Sequence, residues 1–186
     1  MQHARDDALC ASCRTHSSHY DRGWGCCLYD DGMRALLHAF KYNGKTALRQ
    51  TFLDLMTRFI DTYHVPLKQF DAVVPIPLHP VRRRERGFNQ SEILSTGLCR
   101  HYDLTHRPQL LVRERPTGTQ ALLEGKQRWT NLEGAFRINP LERMAGKAVL
   151  IVDDLLTTGA TANAAAAALK KGGADYVGIL TLAITE

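Results

Sequence analysis

A doubly wound α/β domain on a mostly parallel sheet is what this chain should form. Two short apolar runs, Ala72-Val-Val-Pro-Ile-Pro77 and Val149-Leu-Ile-Val152, lack the alternation of a half-exposed strand. Between and around them, apolar residues recur at helical spacing, so strands and helices take turns along the chain. The second run leads directly into acids, a polar turn and an alanine-rich helix, the order in which open α/β sheets present a ligand site.

Residues 1 to about 30 are rich in Cys, His, Ser and Asp and carry little hydrophobic periodicity; they read as a small cysteine-containing appendage, residues 1–32, ahead of a domain spanning 33–186. After Gly32, Met33, Leu36, Leu37 and Phe40 lie on one face of a helix that Asn43-Gly44 interrupts. A second stripe, Leu48, Phe52, Leu55, Met56, Phe59, Ile60 and Tyr63, ends ahead of Pro66, because the residue before a proline is pushed out of the helical region. Both stripes predict core. The run from Ala72 predicts a buried strand closed by prolines, followed by a helix from about Ser91 to Tyr102 and a strand near Gln109 to Arg113. Arg115 to Glu133 shows no dependable period. A strand over Ala148 to Val152, a helix from about Thr161 to Lys171 stopped by Gly172-Gly173, and a strand over Tyr176 to Ala183 complete the domain.

Because Val149 to Val152 predicts a strand buried on both faces, Asp153 and Asp154 are expected to emerge at its carboxyl end. Thr157-Thr158-Gly159-Ala160-Thr161 then turns into a helix, offering backbone N–H groups, three hydroxyls and the positive end of the helix dipole to a phosphate. Gly159 allows close backbone approach, and the carboxylates suit sugar hydroxyls. The combined ligand is a ribose 5-phosphate. A receiver domain also opens on such a run, but it needs a phosphoacceptor aspartate on a later strand and only 32 residues follow Asp154. Neither Gly-x-x-x-x-Gly-Lys-Ser/Thr nor Gly-x-Gly-x-x-Gly occurs. A bare helix cap accounts for the threonines and leaves the acids unexplained.

The segment Val149 to Thr161 resembles the motif that binds 5-phosphoribosyl-1-pyrophosphate (PRPP) in type I phosphoribosyltransferases. That resemblance implies Asp153 and Asp154 on the ribose hydroxyls, directly or through Mg²⁺-bound water, and Thr157, Thr158, Gly159, Ala160 and Thr161 around the 5-phosphate. Together with Pro75-Ile-Pro-Leu-His-Pro, Arg82-Arg-Arg-Glu-Arg86-Gly-Phe-Asn-Gln90 and Arg113-x-Arg115-x-Thr117-x-x-Gln120, with Arg128, Asn131 and Phe136 beyond, it is similar to the ComF family of competence-associated proteins, which includes the GntX group, over roughly 33 to 186. The resemblance implies pyrophosphate displacement from ribose C1 by a nitrogen nucleophile, with PRPP carrying Mg²⁺, or alternatively a non-catalytic PRPP-binding protein that handles single-stranded DNA in DNA uptake.

The turn after Ile76 and Pro77 puts N–H groups where a pyrophosphate fits, and Arg86 is the first choice for its charge. Two of Arg82, Arg83 and Arg84 equally suit an exposed face or a nucleic-acid backbone; Asn89 and Gln90 equally suit a helix cap. Arg113 and Arg115 lie where a hood would close over PRPP, or where a hairpin would meet a second subunit in a homodimer. No strong general base is visible, and no pattern specifies the acceptor.

The formal charge is +5, and the segment Val81 to Arg137, with 11 Lys/Arg against 6 Asp/Glu, carries the whole excess. Such a segment suits a polyanion or a solvated surface. No apolar stretch approaches 18 residues, so no membrane insertion and a cytoplasmic location are expected. An odd count of 5 cysteines argues for free thiols or a metal site. ComF members often carry two CxxC pairs for zinc; Cys10-x-x-Cys13 is one such pair, and adjacent Cys26-Cys27 lie where the family begins its first strand. Cys26-Cys27, or His16 and His19, are the candidates to complete a zinc site with Cys10 and Cys13, while Cys99 suits packing in a helix.

Overall fold

The two apolar runs become neighbouring strands of a four-stranded parallel sheet, the run from Val149 inside it and the run from Ala72 at one end of the strand order. The computed structural model describes residues 18–42, 47–114, 132 and 134–185. Strands β1 (Arg22–Leu28), β2 (Ala72–Pro75), β5 (Lys147–Leu156) and β6 (Ala174–Ile184) stand in the order β1-β6-β5-β2, every neighbour parallel. A separate antiparallel pair, β3 (Leu111–Arg113) and β4 (Phe136–Ile138), flanks it. Among the described residues, helices α1 (Asp31–Tyr42), α2 (Leu48–Thr62), α3 (Pro80–Arg86), α4 (Gln90–Tyr102) and α5 (Ala160–Lys171) lie in the connections.

Strand periodicity decides which helix each residue meets. Leu150, Val152, Leu180 and Leu182 pack with Phe40, Phe52, Met56, Leu94 and Leu98 from α1, α2 and α4 on one face. Val149, Ile151, Val177 and Ile179 pack with Ala165, Ala166 and Leu169 of α5, and with Leu111 and Phe136 of the hairpin, on the other. Helices therefore cover both faces, as the expected double winding requires, and each large side chain so buried stabilises by roughly 1.5–3 kcal/mol. The alanines let α5 lie close to the sheet: Ala162, Ala165 and Ala166 are fully enclosed.

Three elements differ from expectation. Residues 22–28, placed with the appendage, form the edge strand β1, which pairs with β6 from Arg22↔Gly178 to Leu28↔Ile184, so the boundary at residue 32 falls inside the folded unit. The basic segment forms the short helix α3, begun by His79, whose Nδ1 accepts from the Val81 amide at 3.4 Å, and ended by Gly87 at φ 80°, a left-handed conformation that glycine adopts freely. The central strand runs on to Leu156, so Asp153 and Asp154 sit within β5, with Asp153 paired to Thr181 and Leu156 to Ile184. Cys10, Cys13, His16, Arg115, Thr117, Gln120, Arg128 and Asn131 lie outside the described residues. Among the described residues no helix is long and apolar enough to cross a membrane.

Candidate functional site

Two carboxylates enter the carboxyl end of β5, and each is gripped before any ligand arrives. Asp153 Oδ1 accepts the Ser91 hydroxyl at 2.8 Å and the Asp154 amide at 2.9 Å. Ser91 stands at the start of α4, fixed because Asn89 caps that helix: its Oδ1 accepts from the Ser91 amide at 3.1 Å, and its Nδ2 donates to the Ile76 carbonyl at 3.0 Å. The even choice between ligand contact and cap at Asn89 thus resolves in favour of the cap, and Gln90 accepts from Arg86 at 2.6 Å. Ile76 is buried, and its own amide donates to Val152 at 2.9 Å, so the turn at Ile76 and Pro77 lies directly beside β5.

Asp154 is only 4% exposed, and its Oδ2 lies 2.5 Å from Lys41 Nζ at the end of α1. Burial alone would lower the Lys41 pKa; the charge of Asp154 and the hydrogen bond to it outweigh that and hold the ammonium above the ordinary lysine value, helped by Asp153 and opposed by Arg86. Asp153 moves the other way. Burial, then the Asp154 charge, push its carboxyl up to about 7, against the Ser91 hydroxyl, the Asp154 amide and Lys41. Lys41 is the site residue that sequence reasoning missed, because only the fold carries it to Asp154.

Beyond β5, residues 157–159 form a bend and α5 starts at Ala160. Gly159 stands at its N-cap with φ 76°, where a side chain would be strained, and gives no side-chain cap. The helix therefore opens with N–H groups that its cap residue does not satisfy. Thr157 is exposed and Thr158 and Thr161 are partly so. A Cβ added at Gly159 would meet the Tyr20 hydroxyl at 3.3 Å, so the segment before β1 crosses this turn. That segment is held by the His19 amide on Asn163 Oδ1 at 2.6 Å and the Val177 amide on Asp21 Oδ2 at 2.7 Å.

The basic residues divide. Arg86 comes near Lys41, and Arg113, at the end of β3, comes near Asp153 while lying over the Phe136 ring at 5.4 Å. Burial pushes the Arg113 guanidinium below its usual value, opposed by Asp153 and reinforced by Arg82. Arg83 instead reaches Glu92 at 3.1 Å, and Arg84 is exposed. A groove of about 630 Å³ begins at Pro77 and Arg113 and runs between α3 and β3 past Arg84 and Asn139. A second, of about 840 Å³, lies between α2 and α4 and holds neither acid.

Among the described residues no group of three His, Cys, Asp or Glu side chains converges on one point. The acid pair fits a cation that arrives already held by a pyrophosphate, since Lys41 neutralises Asp154 and Asp153 keeps one oxygen outside the bonds it makes. Cys26 and Cys27 are strand residues packed against the core, and burial raises both thiols. Their expected part in a zinc site depends on Cys10 and Cys13, which lie outside the described residues. Cys99 packs in α4, its thiol pushed up by burial to about 12.

With this geometry in place, similarity to known proteins falls in one direction. The phosphoribosyl transferase domain family matches residues 106–184, which include both acids and the phosphate turn. A DNA utilization protein YhgH of Salmonella typhimurium is 31% identical over 199 residues, covering 96% of this chain and 85% of the relative. Competence protein F of Haemophilus influenzae is 29% identical over 192 residues, covering 94% and 83%. Competence protein ComFC of Bacillus subtilis is 34% identical over 160 residues, covering 83% and 60%.

Proposed function

Since the chain belongs to the ComF family of competence-associated proteins with a phosphoribosyltransferase domain, we propose that it binds PRPP and transfers the phosphoribosyl group to a nitrogen acceptor with release of pyrophosphate. One observation carries the reading. Within a single strand, turn and helix, the chain sets a carboxylate with a spare oxygen at Asp153 and an uncapped helix start at Gly159 to Ala160, which are the two chemistries that opposite ends of a ribose 5-phosphate demand.

In this reading Thr157, Thr158, Gly159, Ala160 and Thr161 hold the 5-phosphate, the acid pair orients the ribose, and the turn at Ile76 and Pro77 cradles the pyrophosphate. The nitrogen–C1 bond forms as the C1–oxygen bond breaks; the electron pair leaves with pyrophosphate, and the acceptor nitrogen gives its proton to solvent or phosphate. Arg113, near Asp153, and Arg86, near Lys41, are placed to meet the departing charge, and Arg115 belongs with them by its place in the sequence. Bound Mg²⁺ would supply neutralisation of the pyrophosphate. Zinc at Cys10 and Cys13 remains part of the proposal for the appendage alone.

Calorimetric titration with Mg²⁺-PRPP tests binding, and a screen of bases for pyrophosphate release tests transfer. Saturable binding at one site per chain is expected; no heat with either PRPP or ribose 5-phosphate removes the reading.

A second reading draws on the exposed arginines of α3 and on relatives named for DNA utilization: a PRPP-binding module that handles single-stranded DNA without turnover. It predicts oligonucleotide binding that weakens steeply with salt, and PRPP binding without pyrophosphate release.

A further inference from the structure

The chain ahead of β1 is fastened to the helix of the phosphate turn from far away in sequence. The His19 amide donates to Asn163 Oδ1 at 2.6 Å across 144 residues. Two residues on, Asp21 and Val177 of β6 exchange bonds, the Asp21 amide donating to the Val177 carbonyl at 2.7 Å and the Val177 amide to Asp21 Oδ2 at 2.7 Å. Lys170 Nζ of α5 reaches the same Oδ2 at 2.8 Å. Tyr20 stands between these fastenings. Its ring packs against the core cluster that holds Val177, Ile179 and the α5 alanines, and its hydroxyl comes to Gly159 at the N-cap of α5. Gly23 leaves room for the ring, whose edge lies 3.7 Å from where a Cβ would be.

Asn163 is the informative residue. It is 8% exposed and sits in a run of alanines, on a helix built from small side chains to lie close to the sheet. An amide there gives up helix propensity and must find a partner. What it holds is the backbone next to Tyr20.

We propose that Tyr20 is a specificity-determining residue of the phosphate end: its hydroxyl donates to the ligand's 5-phosphate, and Asn163 is the positioning residue that keeps it there. This rests on the sugar-phosphate reading above and adds to it a contact from outside the strand, turn and helix that carry it. A phosphate monoester has more acceptor sites than the N–H groups at the start of one helix engage, and further donors around it tighten the grip. A hydroxyl accepts as well as donates, so Tyr20 can take a bond from the turn and still give its proton to a phosphate oxygen. Because the ring already packs on the core, little freedom is lost when it does so. A ribose without the 5-phosphate offers this hydroxyl no anion, so the contact favours the phosphorylated sugar over the plain one.

Calorimetric affinity for ribose 5-phosphate and for pyrophosphate, with melting temperature alongside, tests this on Tyr20→Phe, Asn163→Ala and the two combined. Tyr20→Phe should bind ribose 5-phosphate about 10-fold more weakly, the low end for a lost bond to a charged group, and melt within about 3 °C of the unaltered protein. Asn163→Ala should weaken the same ligand by about 5-fold. The double variant should match Tyr20→Phe to within about 2-fold, because both changes remove one contact. Pyrophosphate, which the reading places at the turn of Ile76 and Pro77, should bind every variant as it binds the unaltered protein. If Tyr20→Phe holds ribose 5-phosphate within about 2-fold of the unaltered protein, the contact is overturned. A Tyr20→Phe that melts more than about 3 °C lower, or loses pyrophosphate to the same degree, overturns it too, since the hydroxyl would then serve the fold rather than the phosphate. Losses that multiply in the double variant, or no loss from Asn163→Ala, overturn the positioning role. An unaltered protein that fails to bind ribose 5-phosphate would instead bring down the sugar-phosphate reading, and Tyr20 with it.

Discussion

The carboxyl end of β5 and the helix α3 both carry concentrated charge, and they hold it in opposite ways. At that end of β5 both carboxylates have a protein partner in a shielded place: Asp154 has Lys41, and Asp153 has Ser91. On α3 the arginines stand on the rim, Arg82 within 3.8 Å of Glu85 and Arg83 within 3.1 Å of Glu92, their side chains 39% and 58% exposed. Shielded pairs are strong and rigid, while exposed pairs are weak and easily exchanged. The proposed sugar phosphate, with its fixed dimensions, suits the first, and the proposed oligonucleotide suits the second.

The sharpest way to break the contrast is to remove one member of the shielded pair. Asp154→Ala should destabilise the fold by about 3–5 kcal/mol in urea unfolding, because Lys41 loses its counter-ion. A cost below about 1 kcal/mol would make the two regions alike. Next in size is Gly159→Val, which places a branched side chain at φ 76° against the Tyr20 hydroxyl; a loss of about 1–3 kcal/mol, with loss of phosphate binding, is expected from the same unfolding curves and a ribose 5-phosphate titration.

Acidity gives a subtler probe. Asp153 titrates near its ordinary value of 3.8 when unfolded and at about 7 when folded, so the folded protein holds the extra proton between them. Its contribution to stability is complete below about pH 4, declines as pH rises and is gone above about 7. Melting followed from about pH 5 to about pH 8 should show this slope in the unaltered protein and lose it in Asp153→Asn. Ligand affinity should run the other way, rising through about pH 7 as the carboxylate that accepts sugar hydroxyls ionises. The groups facing Asp153 are Ser91, Asp154, Lys41 and Arg113. The smallest stability effect belongs to α3: Arg83→Ala with Arg84→Ala should shift unfolding by less than about 0.5 kcal/mol. In anisotropy measurements with a labelled oligonucleotide, the salt slope should fall by about 1 for every arginine that bonds a backbone phosphate and is replaced.

The same contrast explains what was legible in the sequence. Val149 to Val152, the threonine turn and the alanine helix announced themselves because local pattern and burial agree there, and their elements form within two residues of expectation, apart from the far end of β5. The strand's extension to Leu156 was hidden, since acids disfavour strands and only pairing with β6 overrides that. Local pattern did not show strand β1, which only the family resemblance hinted at, because Arg22-Gly-Trp-Gly-Cys-Cys-Leu has glycine at two positions and no apolar run; its partner lies more than 150 residues away, at Gly178. Helix α3 has no buried residue and so no stripe to find. For the site, the acids and the phosphate turn were readable as residue types, but Lys41 and Ser91 were not. A lysine ending an amphipathic helix looks like an ordinary favourable charge on the helix dipole until the fold brings Asp154 to it.

The register of β1 on β6 also bears on how the chain is made. A ribosome emits Gly178 more than 150 residues after Arg22, so the edge strand must wait for all of that stretch before its neighbour exists. Until then its backbone donors and acceptors stand open, and the growing polypeptide is exposed to wrong partners that the finished one excludes.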